Sequence, residues 1–251
     1  MSTMKRVFLF LFLVLLIYPA ANGQLWKLRR YELTGSFGTS QFMGDIGGFT
    51  PGENALGFKD LTINNTRFAL GLGMRYRIYE DFSVKMDINF GLIHASDAKG
   101  SNEGRDMEAT TSVFEPGVRA EYYILKNSAE SSYRFTKGNQ IFASMIDKID
   151  LYAYAGVAPI IYSVNPNENL LAVIEKDKGV ALGIPVGLGV NFLFSPNALI
   201  GVDIGYRFTT TDYLDGYTSQ YSAHNDVYYF MTFVFTHKLK TSEKGLPSFR
   251  K

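Results

Sequence analysis

Between residues 82 and 92 every second residue is apolar. Phe82, Val84, Met86, Ile88, Phe90 and Leu92 alternate with Ser83, Lys85, Asp87, Asn89 and Gly91. Successive side chains of a strand point to opposite faces, so this period of two predicts a strand with one apolar and one charged face. A half-buried strand of a soluble sheet reads the same way in isolation. Repetition and length change the reading. Phe68, Leu70, Leu72, Met74, Tyr76 and Ile78 alternate with Arg67, Ala69, Gly71, Gly73, Arg75 and Arg77, and Ile200, Val202, Ile204, Tyr206 and Phe208 with Gly201, Asp203, Gly205, Arg207 and Thr209. Segments of about ten residues or more suit a tilted strand that crosses a bilayer. The apolar face then meets lipid and the charged face a polar lumen.

Eight such strands are predicted, at 31–42, 66–78, 81–93, 112–124, 150–163, 180–194, 199–210 and 227–239. In the first, Tyr31, Leu33, Gly35 and Phe37 oppose Glu32, Thr34, Ser36 and Gly38. In the fourth, Phe114, Pro116, Val118, Ala120, Tyr122 and Ile124 face out, and Glu115, Gly117, Arg119 and Glu121 face in. Tyr152 and Tyr154 of the fifth are placed inside. The facing of the eighth is open, because both of its residue sets contain aromatics. An even number of antiparallel strands closes with both ends on one side. The links agree: tight after the second and sixth strands (Tyr79-Glu80, Ser195-Pro196-Asn197), long and polar after the first, third, fifth and seventh. The link after the fourth strand, 125–149, is long where a turn is expected, and carries Ile141, Phe142, Met145 and Ile146. The predicted fold is all-β: a transmembrane antiparallel up-and-down barrel of eight strands, of the size of the OmpA and OmpX barrels.

The N-terminus supplies a route to a membrane. Lys5 and Arg6 precede an unbroken apolar run over 7–18, and Pro19-Ala20-Ala21-Asn22-Gly23 offers small residues for cleavage before Gln24. This is the layout of a secretory signal peptide, with an apolar run too short for a spanning helix. The expected organisation is a signal peptide at 1–23 and an outer-membrane barrel domain at 24–251. Removing 1–23 takes Lys5 and Arg6 from the 25 basic residues, leaving 23 against 24 acidic ones. That balance predicts no nucleic-acid partner. With no cysteine anywhere, disulfides and thiolate metal sites are excluded.

Arg67, Arg75, Arg77, Lys85, Asp87, Glu115, Arg119, Glu121, Asp203 and Arg207 all fall on predicted inner faces. An eight-stranded barrel is just wide enough for side chains to fill it, so these charges are expected to form a compensated plug with Arg75, Lys85, Asp87, Arg119, Glu121 and Arg207 as main members. Asp212 and Asp215 follow the seventh strand without calcium-loop spacing, and a solvated loop tip with an aspartate closing a turn is expected there. His94 and His224 fall at outer strand ends or loops and His237 near the periplasmic rim, with no nucleophile motif and no paired metal spacing. No catalytic, cofactor-binding or metal residue is therefore assigned, no cofactor is expected, and the reading is non-enzymatic.

Several segments together resemble one family. They are Tyr31-Glu32-Leu33 with Gly35; Phe42-Met43-Gly44-Asp45-Ile46-Gly47-Gly48; Phe114-Glu115-Pro116-Gly117-Val118-Arg119; Tyr152-Ala153-Tyr154-Ala155-Gly156-Val157; and Gly205-Tyr206-Arg207-Phe208-Thr209 leading to Thr211-Asp212-Tyr213-Leu214-Asp215. Over nearly the whole chain after residue 23 they resemble the PorG-type small outer-membrane barrels of Bacteroidetes, a family associated with the type IX secretion system. The resemblance implies an outer-membrane protein without enzymatic activity that anchors periplasmic secretion-system proteins. The long link at 125–149 and the basic tail (Lys238, Lys240, Lys244, Arg250, Lys251) depart from the family.

Three roles are thus expected in order: a structural anchor associated with type IX protein secretion, a general small surface barrel acting through its extracellular loops as envelope stabiliser or adhesin, and a membrane-embedded enzyme. Partners would be outer-membrane lipid and periplasmic secretion-system proteins; nothing in the sequence sets an oligomeric state.

Overall fold

The computed structural model describes residues 24–47, 63–99, 103–127, 148–219, 225–242 and 245–248. The expected signal peptide, Gly48, His224, the apolar residues Ile141, Phe142, Met145 and Ile146, and Lys244, Arg250 and Lys251 lie outside them.

A short 3-10 helix, Gln24–Arg29, leads into β1, Tyr31–Met43. Then follow β2, Arg67–Arg77; β3, Phe82–Ser96; β4, Glu108–Leu125; β5, Ile149–Pro166; β6, Lys178–Ser195; β7, Ala198–Thr209; and β8, Val227–Thr241. Each pairs antiparallel with the next in sequence order, and β1 pairs with β8 along 31–43, so eight strands close on themselves among the described residues. Closure leaves no strand edge unpaired, which is the condition for a sheet to cross hydrocarbon. A ninth strand, Pro247–Ser248, adds two pairs to the end of β8 and takes no part in the closure.

The alternation sets the faces as expected. On β2, Phe68, Leu70, Leu72 and Met74 are exposed while Arg75 and Arg77 are buried. On β3, Met86, Ile88 and Phe90 are exposed while Lys85, Asp87 and Asn89 are buried. Every strand adds exposed apolar residues to this band: Phe37 on β1, Val118 on β4, Val157 on β5, Leu188 on β6, Ile204 on β7 and Phe233 on β8. An apolar belt around a charged interior inverts a soluble protein, and it fits a bilayer as solvent. The barrel is a transmembrane barrel of the outer-membrane type. The facing that the sequence left open in β8 is settled: Tyr228, Phe230, Thr232, Val234, Thr236 and Lys238 point in.

Strands run past their expected limits at the end carrying the long links. β4 begins at Glu108 and β5 ends at Pro166, and the two keep pairing out to Ala109 with Pro166. The outward residues there, such as Thr110 and Asn165, are polar, so the ladder continues beyond the apolar belt. The opposite end holds the tight links between β2 and β3 and between β6 and β7, with the start of β1 and the end of β8; it is called the turn end below, and the other the loop end.

Candidate functional site

The lumen is built from register. Arg75, Lys85 and Arg119 are direct neighbours across β2, β3 and β4, and Glu32 of β1 faces Arg75. Three cations in a row repel one another, so carboxylates must reach in diagonally or from across the barrel. Glu121 does the first: it accepts from Arg75 Nε and from Arg119 Nε at 2.9 Å. Glu32 joins Arg75 and Arg77, each at 2.7 Å. Asp203 comes from β7 to Arg119 Nη2 at 2.7 Å and also accepts the Tyr152 hydroxyl. Lys85 lies 3.5 Å from Asp87, and Arg119 3.7 Å from the same carboxylate. Toward the loop end, Arg207 Nε donates to Glu115 at 3.3 Å, Asn89 donates to the same carboxylate at 3.2 Å, and the Tyr228 hydroxyl donates to it from the opposite wall.

Aromatic faces fill what the ion pairs leave. Arg119 stacks over Tyr154 at 4.1 Å and Arg207 over Phe230 at 4.3 Å. Glycines on the two following strands make room for the tyrosines of β5: a Cβ on Gly205 would lie 2.0 Å from the Tyr154 hydroxyl, and one on Gly189, the cross-strand partner of Tyr152, would lie 2.3 Å from the Tyr152 ring. All six expected main members of the plug are in the network. Arg67 is the exception, since it sits at the loop-end rim and donates to the carbonyls of Asn64 and Thr66. The sequence reading missed the roles of Glu32 and Tyr228. Glu32 carried a signal, as it stands on the inner face of β1; Tyr228 carried none while the facing of β8 was open.

The loop end is closed by a packed cap. Phe42, Ile46, Ile93, Val113, Ile160, Leu170, Leu214 and Phe230 belong to one buried cluster, with Met107, Ile174, Tyr213 and Tyr217 against it. Leu170 comes from α1, Glu168–Leu171, whose N-cap Asn167 accepts from the Leu170 amide and donates to the Asp106 carbonyl of the link between β3 and β4. Two of the segments that carry the family resemblance meet here. The Ile46 amide donates to Asp215 at 3.0 Å, and Asp45 accepts the Ser219 amide at 2.6 Å. Gly47 has φ of +80° and touches the Ser96 carbonyl, where a Cβ would come within 2.4 Å, so only glycine fits. Asp97 accepts the Gly47 amide and pairs with Arg105 at 2.9 Å.

The 212–215 segment is therefore not the solvated tip expected from sequence. Leu214 is 0% and Asp215 1% exposed, because residues distant in sequence fold over them. Asp212 remains part-buried and accepts the Thr218 hydroxyl at 2.5 Å.

His94 lies on the outer wall below the cap beside an open pocket of about 220 Å³ lined by Asn64, Asn65, Arg67, Ser96, Ala98 and Glu108. Its Nδ1 shares a hydrogen bond with Thr110 at 2.9 Å, and its Nε2 is 3.7 Å from Glu108. The Ser96 hydroxyl accepts the Ala98 amide. Thr110 thus supplies the hydroxyl that meets this imidazole, and Glu108 stands on the far side of the ring. His237 sits exposed on the outer wall near the turn end.

The model of a family described as Domain of unknown function (DUF6089) matches residues 5–237. No curated protein matches the chain. Solved structures similar to it include the attachment invasion locus protein Ail of Yersinia pestis, at 12% identity, TM-score 0.40, covering 83% of this chain and 98% of that one. OprG of Pseudomonas aeruginosa matches at 11% identity and TM-score 0.41, covering 84% and 97%. Outer membrane protein W of E. coli matches at 16% identity and TM-score 0.38, covering 83% and 98%.

Proposed function

The chain belongs to the family described as a domain of unknown function, DUF6089, and we propose that it works as an anchor: a non-conducting, non-enzymatic outer-membrane barrel that holds a periplasmic partner of a type IX secretion system. The observation that carries the anchoring role is the filled interior, in which Arg75, Arg119, Glu121 and Asp203 are bridged to one another and buried. A barrel occupied in this way works through its rims. The secretion assignment is supported by the sequence resemblance to PorG-type barrels. Residues 1–23 act as the signal peptide that directs the chain to the envelope.

Bacterial barrels keep their periplasmic turns short, so the turn end is read as periplasmic. Lys27, Arg29, Arg30 and Lys240 stand at that rim, and the link over 126–148, with Ile141, Phe142, Met145 and Ile146 in its sequence, joins β4 to β5 there. A basic rim steers an acidic partner surface and does so less at high salt. A second reading, a surface barrel acting through its extracellular loops, is favoured by the packed cap at the other rim.

Replacing residues 128–147 by a tight turn separates the two. The variant is expected to insert normally, while crosslinked cells yield several-fold less periplasmic partner with it and secrete less cargo. Unchanged recovery and secretion would remove the link as the docking element and put the loop reading first.

A further inference from the structure

We propose that the loop-end cap is a proton-held latch: Asp215 and Asp226, buried next to each other beneath it, keep it shut while a proton resides on the pair and loosen it when both ionise.

The two carboxylates hold the cap from below. Asp215 accepts the amides of Ile46 at 3.0 Å and Tyr217 at 3.1 Å, tying the segment after β1 to the link after β7. Asp226, one residue before β8, accepts the Leu214 amide at 2.7 Å, so it grips the residue adjacent to Asp215. Leu214 is held again through its carbonyl, which accepts the Thr111 hydroxyl at 2.6 Å. Both carboxylates are 1% exposed. Two buried like charges cannot both ionise cheaply, and one proton between them removes the conflict.

Among the described residues no cation does that work. The charged groups acting on the pair from the surrounding elements are Asp45, after β1, and Asp212, in the same link, and both are negative. Arg105, from the link between β3 and β4, is committed to Asp97 and lies over the Tyr217 ring. Lys176, after α1, lies over the Tyr213 ring, and Glu175 beside it is a further acid. Among the described residues no three His, Cys, Asp or Glu side chains are grouped to hold a metal ion. Among the described residues Asp226 Oδ1 has no hydrogen-bond partner, and it is packed against Gly44, where an added Cβ would lie 2.5 Å from it. A proton is the cation that fits an unpartnered, closely packed carboxylate oxygen.

Burial, reinforced by Asp45 and Asp212, pushes the Asp215 carboxyl up to about 7, against the two amide bonds that pull it down. Burial and then Asp215 push Asp226 well above the ordinary carboxylate range. The sign follows. In the open cap these groups ionise near pH ~4, as free carboxylates do. Between that value and about 7 the closed cap holds protons that the open cap releases, so closure is favoured at acid pH and weakens as pH rises.

Hydrogen exchange of the full chain in lipid nanodiscs tests this. It follows the amides of Ile46, Leu214 and Tyr217, corrected for intrinsic exchange and referenced to lumen-facing strand peptides. Protection of these amides is expected to fall by about tenfold per pH unit between pH 5 and 7 for each proton released. Asp226→Asn, which keeps the acceptor for Leu214 without the charge, is expected to show a shallower profile and more protection than the natural chain at pH 8. A cap whose protection ignores pH, or an Asp226→Asn cap less protected at pH 8, would overturn the latch.

Discussion

Replacing Arg119 with Ala is expected to destabilise the folded barrel by about 3–5 kcal/mol. Arg119 binds Glu121 and Asp203 and lies near Asp87, and its guanidinium covers the Tyr154 ring. Truncation leaves three acids in a buried site with less positive charge than they need. Lys at this position is not expected to restore stability, because one ammonium cannot reproduce a planar fork that reaches carboxylates on β4 and β7 together. Urea unfolding in detergent, followed by the mobility difference between boiled and unboiled samples, gives the midpoint. Adding Asp203→Asn should offset part of the loss, since it removes one of the uncompensated charges. A variant within about 0.5 kcal/mol of the natural chain would mean that the lumen is hydrated and the pairs are screened, as surface pairs are.

Leu72→Arg tests the outer face with nearly as large an expected effect. Leu72 is 72% exposed and lies midway along β2. On a protein surrounded by water, a polar residue at so open a position changes stability by about 0.5 kcal/mol at most. On a barrel in a bilayer, arginine at mid-depth costs about 2–4 kcal/mol and progressively less toward the interfaces. Folding titrations into vesicles should therefore show a loss of that size for Leu72→Arg and a much smaller one for arginine at Leu125, which is exposed at the turn end. Equal, small effects at both positions would remove the lipid from the account.

Most of the barrel was legible because the bilayer imposes a pattern with no long-range ambiguity. On β2, β3, β4 and β7 the apolar set must face out and the charged set in, so alternation alone gave strand, face and plug members. It failed where both faces are aromatic: Tyr228 and Phe230 are buried, and Phe233 and Phe235 of the same strand are exposed to lipid. It also stopped short at the loop ends of β4 and β5, where hydrogen bonding continues past the apolar belt and the outward residues carry no signal. The cap was not legible at all. Asp215 looks like any loop acid in sequence, and only the approach of Ile46, about 170 residues away, buries it. The resemblance that singled out Gly44-Asp45-Ile46-Gly47 and Thr211-Asp212-Tyr213-Leu214-Asp215 located the two halves of this contact without indicating that they touch.

The sealed lumen is the claim from which the anchoring role, the stability effects and the proposed work at the rims all descend. Single-channel recording of the purified full chain in planar bilayers tests it most directly. A barrel filled by Arg75, Lys85, Asp87, Arg119, Glu121 and Arg207 should insert and give no steady conductance above the bare membrane. Stable, ohmic, long-lived openings by the natural chain would contradict it, because they require a continuous water path where the structure places ion pairs and tyrosine rings.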